Sequence, residues 1–208
     1  MTATPTEPPL RIGIVLGSTR PGRNAEAVGR WVLHHAQSRA DGSEYRLIDI
    51  ADYHLPLLDE PIPPAMGRYS RPHTKAWAEA IAACDAFVFV TPEYQHSTSA
   101  SLKNAIDYLY AEWVDKAAGF VSYGSAGGVR AVEHLRQILA EVQVATVRAQ
   151  VWFSLTDDFE EFRIFRPREA KRDGLFAMLD QLRRWGTALR DLRQREAAGG
   201  AEAVAKRS

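Results

Sequence analysis

Cysteine is nearly absent from this 208-residue chain: Cys84 stands alone, so no intramolecular disulfide can form. It ends an alanine-rich helical pattern, Ala76 to Ala83, and reads as a small core residue, because unpaired cysteines are commonly buried and inert. Charge excess is absent too. Lys plus Arg number 26 and Asp plus Glu number 26. That balance argues against nucleic acid or an anionic membrane as main partner and makes self-association easier. No apolar run approaches the length of a membrane span, and Met1 to Pro9 hold three prolines and no apolar h-region. A cytoplasmic protein with a flexible arm over residues 1–9 is expected. Several chemistries lack their motif. There is no Gly-x-x-x-x-Gly-Lys, no Gly-x-Gly-x-x-Gly and no Gly-x-Ser-x-Gly, which disfavours nucleotide hydrolysis, a dinucleotide Rossmann site and a serine hydrolase. His34, His35, His54, His73 and His134 form no ligand spacing with a carboxylate or thiolate, so no metal is expected.

What is present alternates between strand and helix. Apolar runs at Leu10 to Leu16, Tyr45 to Ile50, Ala86 to Val90, Lys116 to Ser122 and Val144 to Phe153 read as strands. Between them lie helical patterns at Asn24 to Ser38, Pro72 to Cys84, Ser99 to Tyr110 and Val129 to Val142. A long final helix follows over Arg168 to Leu192, with Leu175, Met178, Leu179, Leu182, Trp185, Leu189 and Leu192 on one stripe. Regular alternation predicts a parallel sheet with right-handed crossovers and helices on both faces. Five such strands fit a flavodoxin-like three-layer α/β sandwich of order 2-1-3-4-5, here over residues 10–195, followed by a flexible tail at 196–208. The connection 51–71 holds Pro56, Pro61, Pro63 and Pro64. A loop this long is either functional or interfacial, or a proline-stiffened surface connection.

Three loops stand where a strand hands over to a helix, the edge at which open α/β sheets bind ligands. The first, Gly17-Ser18-Thr19-Arg20-Pro21-Gly22-Arg23-Asn24, is basic and glycine-flanked. Backbone N–H groups and a helix N-terminus favour a single phosphate there; Ser18 can donate a hydroxyl hydrogen bond, and Arg20 and Arg23 can add charge-assisted ones. The second is Thr91-Pro92-Glu93-Tyr94-Gln95-His96-Ser97. The third runs Ser122-Tyr123-Gly124-Ser125-Ala126-Gly127-Gly128, whose glycines permit close backbone approach to a ligand.

These pieces carry a family resemblance. Gly-Ser-Thr-Arg at 17–20, Thr-Pro-Glu-Tyr at 91–94, Leu-Lys-Asn-Ala-Ile-Asp at 102–107 and the Ser-x-Gly-x-x-Gly-Gly-x-Arg spacing from Ser122 to Arg130 together resemble the NADPH-dependent FMN reductases, the flavodoxin-like quinone, chromate and azo reductases. The resemblance implies hydride transfer from NADPH or NADH through N5 of FMN to a quinone, free flavin or similar small-molecule acceptor. It implies that the first loop holds the FMN phosphate, that Pro92 to Ser97 line the isoalloxazine ring with Tyr94 as its wall, and that Ser122 to Gly128 border the pyrimidine side. Gln95 can offer an amide donor and acceptor. His96 reads either as a substrate contact or as an ordinary loop histidine. Glu93 reads as a capping or pairing residue. No catalytic side chain is expected, because hydride transfer requires no ionisable group.

The chain departs from the family pattern in three places, one of them late in the first loop, where Arg23 and Asn24 stand in a neighbourhood that often holds Ser or Asn groups in the family. Gln95 stands where the family reads Asn, and Ser99-Ala100 where it reads Pro-Gly. Weaker flavin retention is expected, and two rival readings follow: a flavodoxin-like electron carrier, or a relative that has lost tight flavin binding. The resemblance, the zero net charge and the aromatics Tyr108, Tyr110 and Trp113 beyond one face of the third helix predict a homodimer or homotetramer.

Overall fold

The computed structural model describes residues 8–205, and the side chains of 8–199. Five parallel strands form one sheet: β1 (Arg11–Leu16), β2 (Glu44–Asp49), β3 (Ala86–Pro92), β4 (Lys116–Gly124) and β5 (Val144–Ser154), in the order β2-β1-β3-β4-β5. The expected sheet is thus present in order and direction. β3 and β4 are buried along their whole length. Strands covered on both faces read as continuous apolar runs, which is why Ala86 to Val90 was so legible.

Alternate strand residues feed two separate cores, as the period of two requires. Ile12, Ile14, Leu16, Val88 and Val90 pack under α1 (Ala25–Ser38) and α5 (Ala170–Ala205). Val15, Phe87, Phe89 and Phe120 pack under α2 (Pro72–Ala82), α3 (Ala100–Asp107) and α4 (Val129–Glu141). The result is the three-layer sandwich expected from alternation.

Several boundaries differ, each with a physical reason. β3 and β4 run two residues further than the apolar pattern, because Thr91 pairs with Ser122 and Pro92 with Tyr123 in register. The second and third loops therefore begin inside the sheet. α3 starts at Ala100 because Ser99 caps it, its Oγ accepting from Leu102 N at 3.1 Å. A short hairpin, β6 (Phe159–Glu160) with β7 (Ile164–Phe165), interrupts what read as plain connection before α5. α5 itself continues to Ala205, through most of the segment expected as a flexible tail. The expected arm over 1–9 lies outside the described residues apart from Pro8 and Pro9. On α5, Leu175, Met178, Leu179 and Leu182 are buried, whereas Trp185 is 52% exposed and lies off the core.

The 51–71 connection is tied down by the Leu-Lys-Asn-Ala-Ile-Asp helix. Asn104 Nδ2 donates to Pro56 O at 2.7 Å while its Oδ1 accepts from Leu58 N at 3.0 Å. Tyr108 Oη donates to Asp59 Oδ1 at 3.0 Å. Glu60 accepts from Ser70 N at 2.9 Å and Arg71 N at 2.9 Å. Desolvation opposes its ionisation, but those backbone bonds outweigh it and hold the carboxyl down to about 2.

The expectation that helix-3 aromatics form an intersubunit surface is corrected here. Tyr108 and Trp113 are 0% exposed. Trp113 lies against Phe87 with ring centroids 5.0 Å apart, and its Nε1 donates to Ile106 O at 3.2 Å. The aromatics read as surplus to one face wrap around the end of the helix into the core. Trp113→Ala should therefore act on stability, lowering the unfolding free energy by ~3–5 kcal/mol in urea titration. A loss below ~1 kcal/mol would place Trp113 at the surface after all.

Candidate functional site

All three loops emerge at the carboxyl edge of the sheet. The first is pinned at its root. Gly17 N donates to Val90 O at 2.8 Å, and Ser99 Oγ donates to the Gly17 carbonyl. A Cβ at Gly17 would stand 2.9 Å from that Val90 oxygen and 2.8 Å from a Leu102 methyl, so the close approach requires glycine. Ser99 holds φ −68, the value proline would impose. The departure from the family's proline thus keeps the backbone path and adds a cap and a tether to the first loop.

Ser18 is fully buried, and its Oγ lies 2.9 Å from Tyr94 Oη. This hydrogen bond joins the first loop to the second. Arg23 is held elsewhere. Its Nη1 donates to Asp49 Oδ1 at 3.0 Å and its Nη2 to Glu26 Oε1 at 2.9 Å, with a further bond to the Ser18 carbonyl. Arg23 thus braces the loop through two carboxylates and a backbone carbonyl. Arg20 has no carboxylate partner among the described residues and lines the cleft.

The second loop is a tight hairpin turn. Tyr94 N donates to Ser97 O at 2.9 Å and Ser97 N to Tyr94 O at 3.1 Å. Gln95 and His96 at its tip have φ of +46 and +72. Consecutive left-handed residues favour Asn or Gly at the first position, which gives the family's Asn a conformational reason. Both side chains are exposed, and His134 Nδ1 lies 2.9 Å from Ser97 Oγ. Glu93 does what its position suggested: it accepts from Arg130 N at 3.2 Å and Arg130 Nε at 2.6 Å, capping α4.

The third loop folds back on β4. Ser122 Oγ donates to Gly127 O at 2.7 Å. Gly128 has φ +73, and a Cβ there would lie 2.8 Å from the Ser122 Cβ.

Between the loops lies a cleft of about 220 Å³. Of the expected site residues, Arg20, Asn24, Pro92, Glu93, Tyr94, Tyr123 and Gly124 line it directly. Gln95 joins Arg20, Glu93 and Tyr94 around an adjoining open hollow. Gly17, Ser18, Arg23, Ser122, Gly127 and Gly128 form the frame behind, and His96 and Ser97 sit on the rim. Leu155, just after β5, and Phe162 and Arg163 from the β6–β7 hairpin complete the wall, and sequence reasoning missed them. No motif marks them. A larger hollow of about 540 Å³ opens at the opposite edge, by the starts of β1 and β2, away from all three loops.

The cleft fits a phosphate at its deep end. Asn24 precedes α1 but gives it no side-chain cap; its Nδ2 donates to Phe162 O at 2.9 Å instead. The first-turn N–H groups of α1 are left for a ligand. Tyr123, 5% exposed, lines the cleft; its hydroxyl makes no well-formed hydrogen bond among the described residues, and the Ser18 hydroxyl that lies near it is already engaged by Tyr94. Burial raises its ionisation well above the ordinary tyrosine range, so it remains an O–H donor. A buried donor without an acceptor is costly, and an anionic oxygen at this spot would satisfy it.

The turn geometry yields one expectation. Gln95→Asn should relieve left-handed strain, stabilise the fold by up to ~1 kcal/mol in thermal melting and raise FMN retention through purification. A fall in both would make Gln95 a fitted partner.

Comparison with known proteins agrees with this geometry. A family model described as NADPH-dependent FMN reductase matches residues 10–158. An NAD(P)H-dependent FMN reductase of a Nectria species is 36% identical over 156 residues, covering 71% of this chain and 78% of that one. Another from Schizosaccharomyces pombe is 40% identical over 130 residues, covering 62% and 64%. Among solved structures, the flavoenzyme NAD(P)H:(acceptor) oxidoreductase of Paracoccus denitrificans superposes with a TM-score of 0.61 at 20% identity, over 84% of this chain and 98% of that one; at that identity it speaks for the fold alone. The family match, which spans all five strands of the parallel sheet, shows that the chain belongs to the NADPH-dependent FMN reductase family.

Proposed function

We infer that this protein is an FMN-dependent NAD(P)H oxidoreductase acting on a quinone, free flavin or similar small-molecule acceptor. The family supports the activity. The observation that carries the cofactor site is the buried Tyr123 hydroxyl, unpartnered in a cleft that also receives Arg20 and the uncapped start of α1. Arg20, Tyr123 and the first-turn N–H groups of α1 would hold the phosphate. Pro92, Tyr94 and Gly124 would flank the ring, with Ser18 fixing the Tyr94 hydroxyl. When bound, FMN supplies the relay of hydride between nicotinamide and acceptor. The protein's own task is to bind, orient and leave one face of the cleft open, and no side chain is assigned a catalytic proton transfer.

In this reading Arg20→Ala weakens FMN by about 1.5–3 kcal/mol, the range for hydrogen bonds to charged groups. Titration of FMN and riboflavin fluorescence against the apoprotein measures it. Equal wild-type affinity for the two would refute the phosphate assignment.

We further propose a cytoplasmic homodimer or homotetramer. Its support is the zero net charge and the exposed side chains of Leu57, Leu58 and Met66 on the anchored 51–71 connection. No helix among the described residues is long and apolar enough to cross a membrane. Light scattering that returns the mass of one chain would overturn the assembly.

A further inference from the structure

The β6–β7 hairpin has features that a plain connection does not need. Its foot is fixed. Phe159 and Phe165 lie with ring centroids 5.0 Å apart; Phe159 approaches Tyr123 at 6.2 Å, and Phe165 approaches Phe153 at 4.8 Å. Asp158, fully buried, accepts from Ser154 N at 2.9 Å, and Arg166 N donates to Asp158 O at 2.8 Å. Its tip is strained. Glu161 and Phe162 have φ of +49 and +60, and a bulky aromatic in the left-handed region is a true outlier. Such strain persists where the surroundings enforce it, and it concentrates at ligand clamps. The two-residue turn is closed by Arg163 N donating to Glu160 O at 3.0 Å, which sets both left-handed residues, and Asn24 Nδ2 donates to Phe162 O at 2.9 Å, which ties the tip to the start of α1 beside the proposed phosphate site.

Phe162 is 61% exposed although it lines the cleft. Arg163 lines the cleft beside it, and its guanidinium has no hydrogen-bond or ion-pair partner among the described residues. The neighbouring arginines of the hairpin region differ: Arg166 pairs with Glu160 at 2.9 Å and Arg168 with Asp157 at 3.1 Å. The hairpin also lies past residue 158, where the match to the family model ends.

We propose that the hairpin tip is the specificity wall of the phosphate end: Phe162 closes it to anything longer than a terminal phosphate, and Arg163 supplies a second cation opposite Arg20. This rests on the FMN reading above and sharpens it. A phosphate monoester carries about −1.5 to −2 charges near neutral pH, which two unpaired guanidinium groups match. Riboflavin brings no charge to the wall, and the diphosphate of FAD must continue through it.

The test is fluorescence titration of the apoprotein with FMN, FAD and riboflavin, for wild type, Arg163→Ala and Phe162→Gly. Arg163→Ala should weaken FMN by roughly tenfold or more and leave riboflavin unchanged. Phe162→Gly, which suits the left-handed backbone, should keep the melting temperature and raise the affinity for FAD relative to FMN. If Arg163→Ala moves FMN and riboflavin alike, or moves neither, the wall has no charge role and the proposal falls. Wild type that binds FAD as tightly as FMN also overturns it. Wild type that binds no FMN at all overturns the cofactor reading itself, whereas normal FMN binding with an insensitive Arg163→Ala overturns only the hairpin's role.

Discussion

Parallel pairing of β3 between β1 and β4 is the constraint from which the site follows. It places the carboxyl ends of three neighbouring strands side by side, so their loops must share one edge. The Gly17 to Val90 hydrogen bond fixes the height of the first loop relative to β3, and the Pro92–Tyr123 pairing fixes that of the second relative to the third. The Ser18–Tyr94 contact can form only because both spacings are set by the sheet. A slip of one residue in β1 would exchange its two core faces and withdraw Ser18 from Tyr94 at once.

The sheet was legible because its central strands are covered on both faces and so appear as unbroken apolar runs. The helices announced themselves by spacing. What periodicity could not show was the use of individual aromatics. Trp113 falls off the apolar stripe of α3, yet the chain turns after Asp107 and carries it into the core beside Phe87. Helical spacing applies only while the helix lasts. Trp185 fails in the reverse sense: α5 meets the sheet at this level through Gly186, where a Cβ would stand 3.2 Å from that of Ala86, and Trp185 beside it remains half exposed.

The candidate site was legible where a residue's backbone role and its residue type agree, as for Gly127 and Gly128, whose φ values are +72 and +73. It was less legible where a charged side chain has a choice of partner. Arg20 and Arg23 are three positions apart in one basic loop, and nothing local separates them. The separation comes from Asp49 at the end of β2, which the fold brings under Arg23 alone. The hairpin was invisible for another reason: its strands are two residues each, and its turn uses Glu161 and Phe162 where turn-forming Asn and Gly would have given a signal.

Charge at the cleft is therefore set by partnership more than by sequence count. Glu93 faces the same cleft, but Arg130 neutralises it while capping α4. Arg23 is neutralised by Asp49 and Glu26. Among the described residues Arg20 and Arg163 have no carboxylate partner, and both line the cleft with Tyr123 and with Asn24 at the start of α1. A chain with no net charge thus builds a local positive field without a basic surface patch. Such a field suits a small phosphate ester held in a crevice and gives an extended polyanion nothing to track along. That is why zero net charge, which argued against nucleic acid, is compatible with an anionic cofactor.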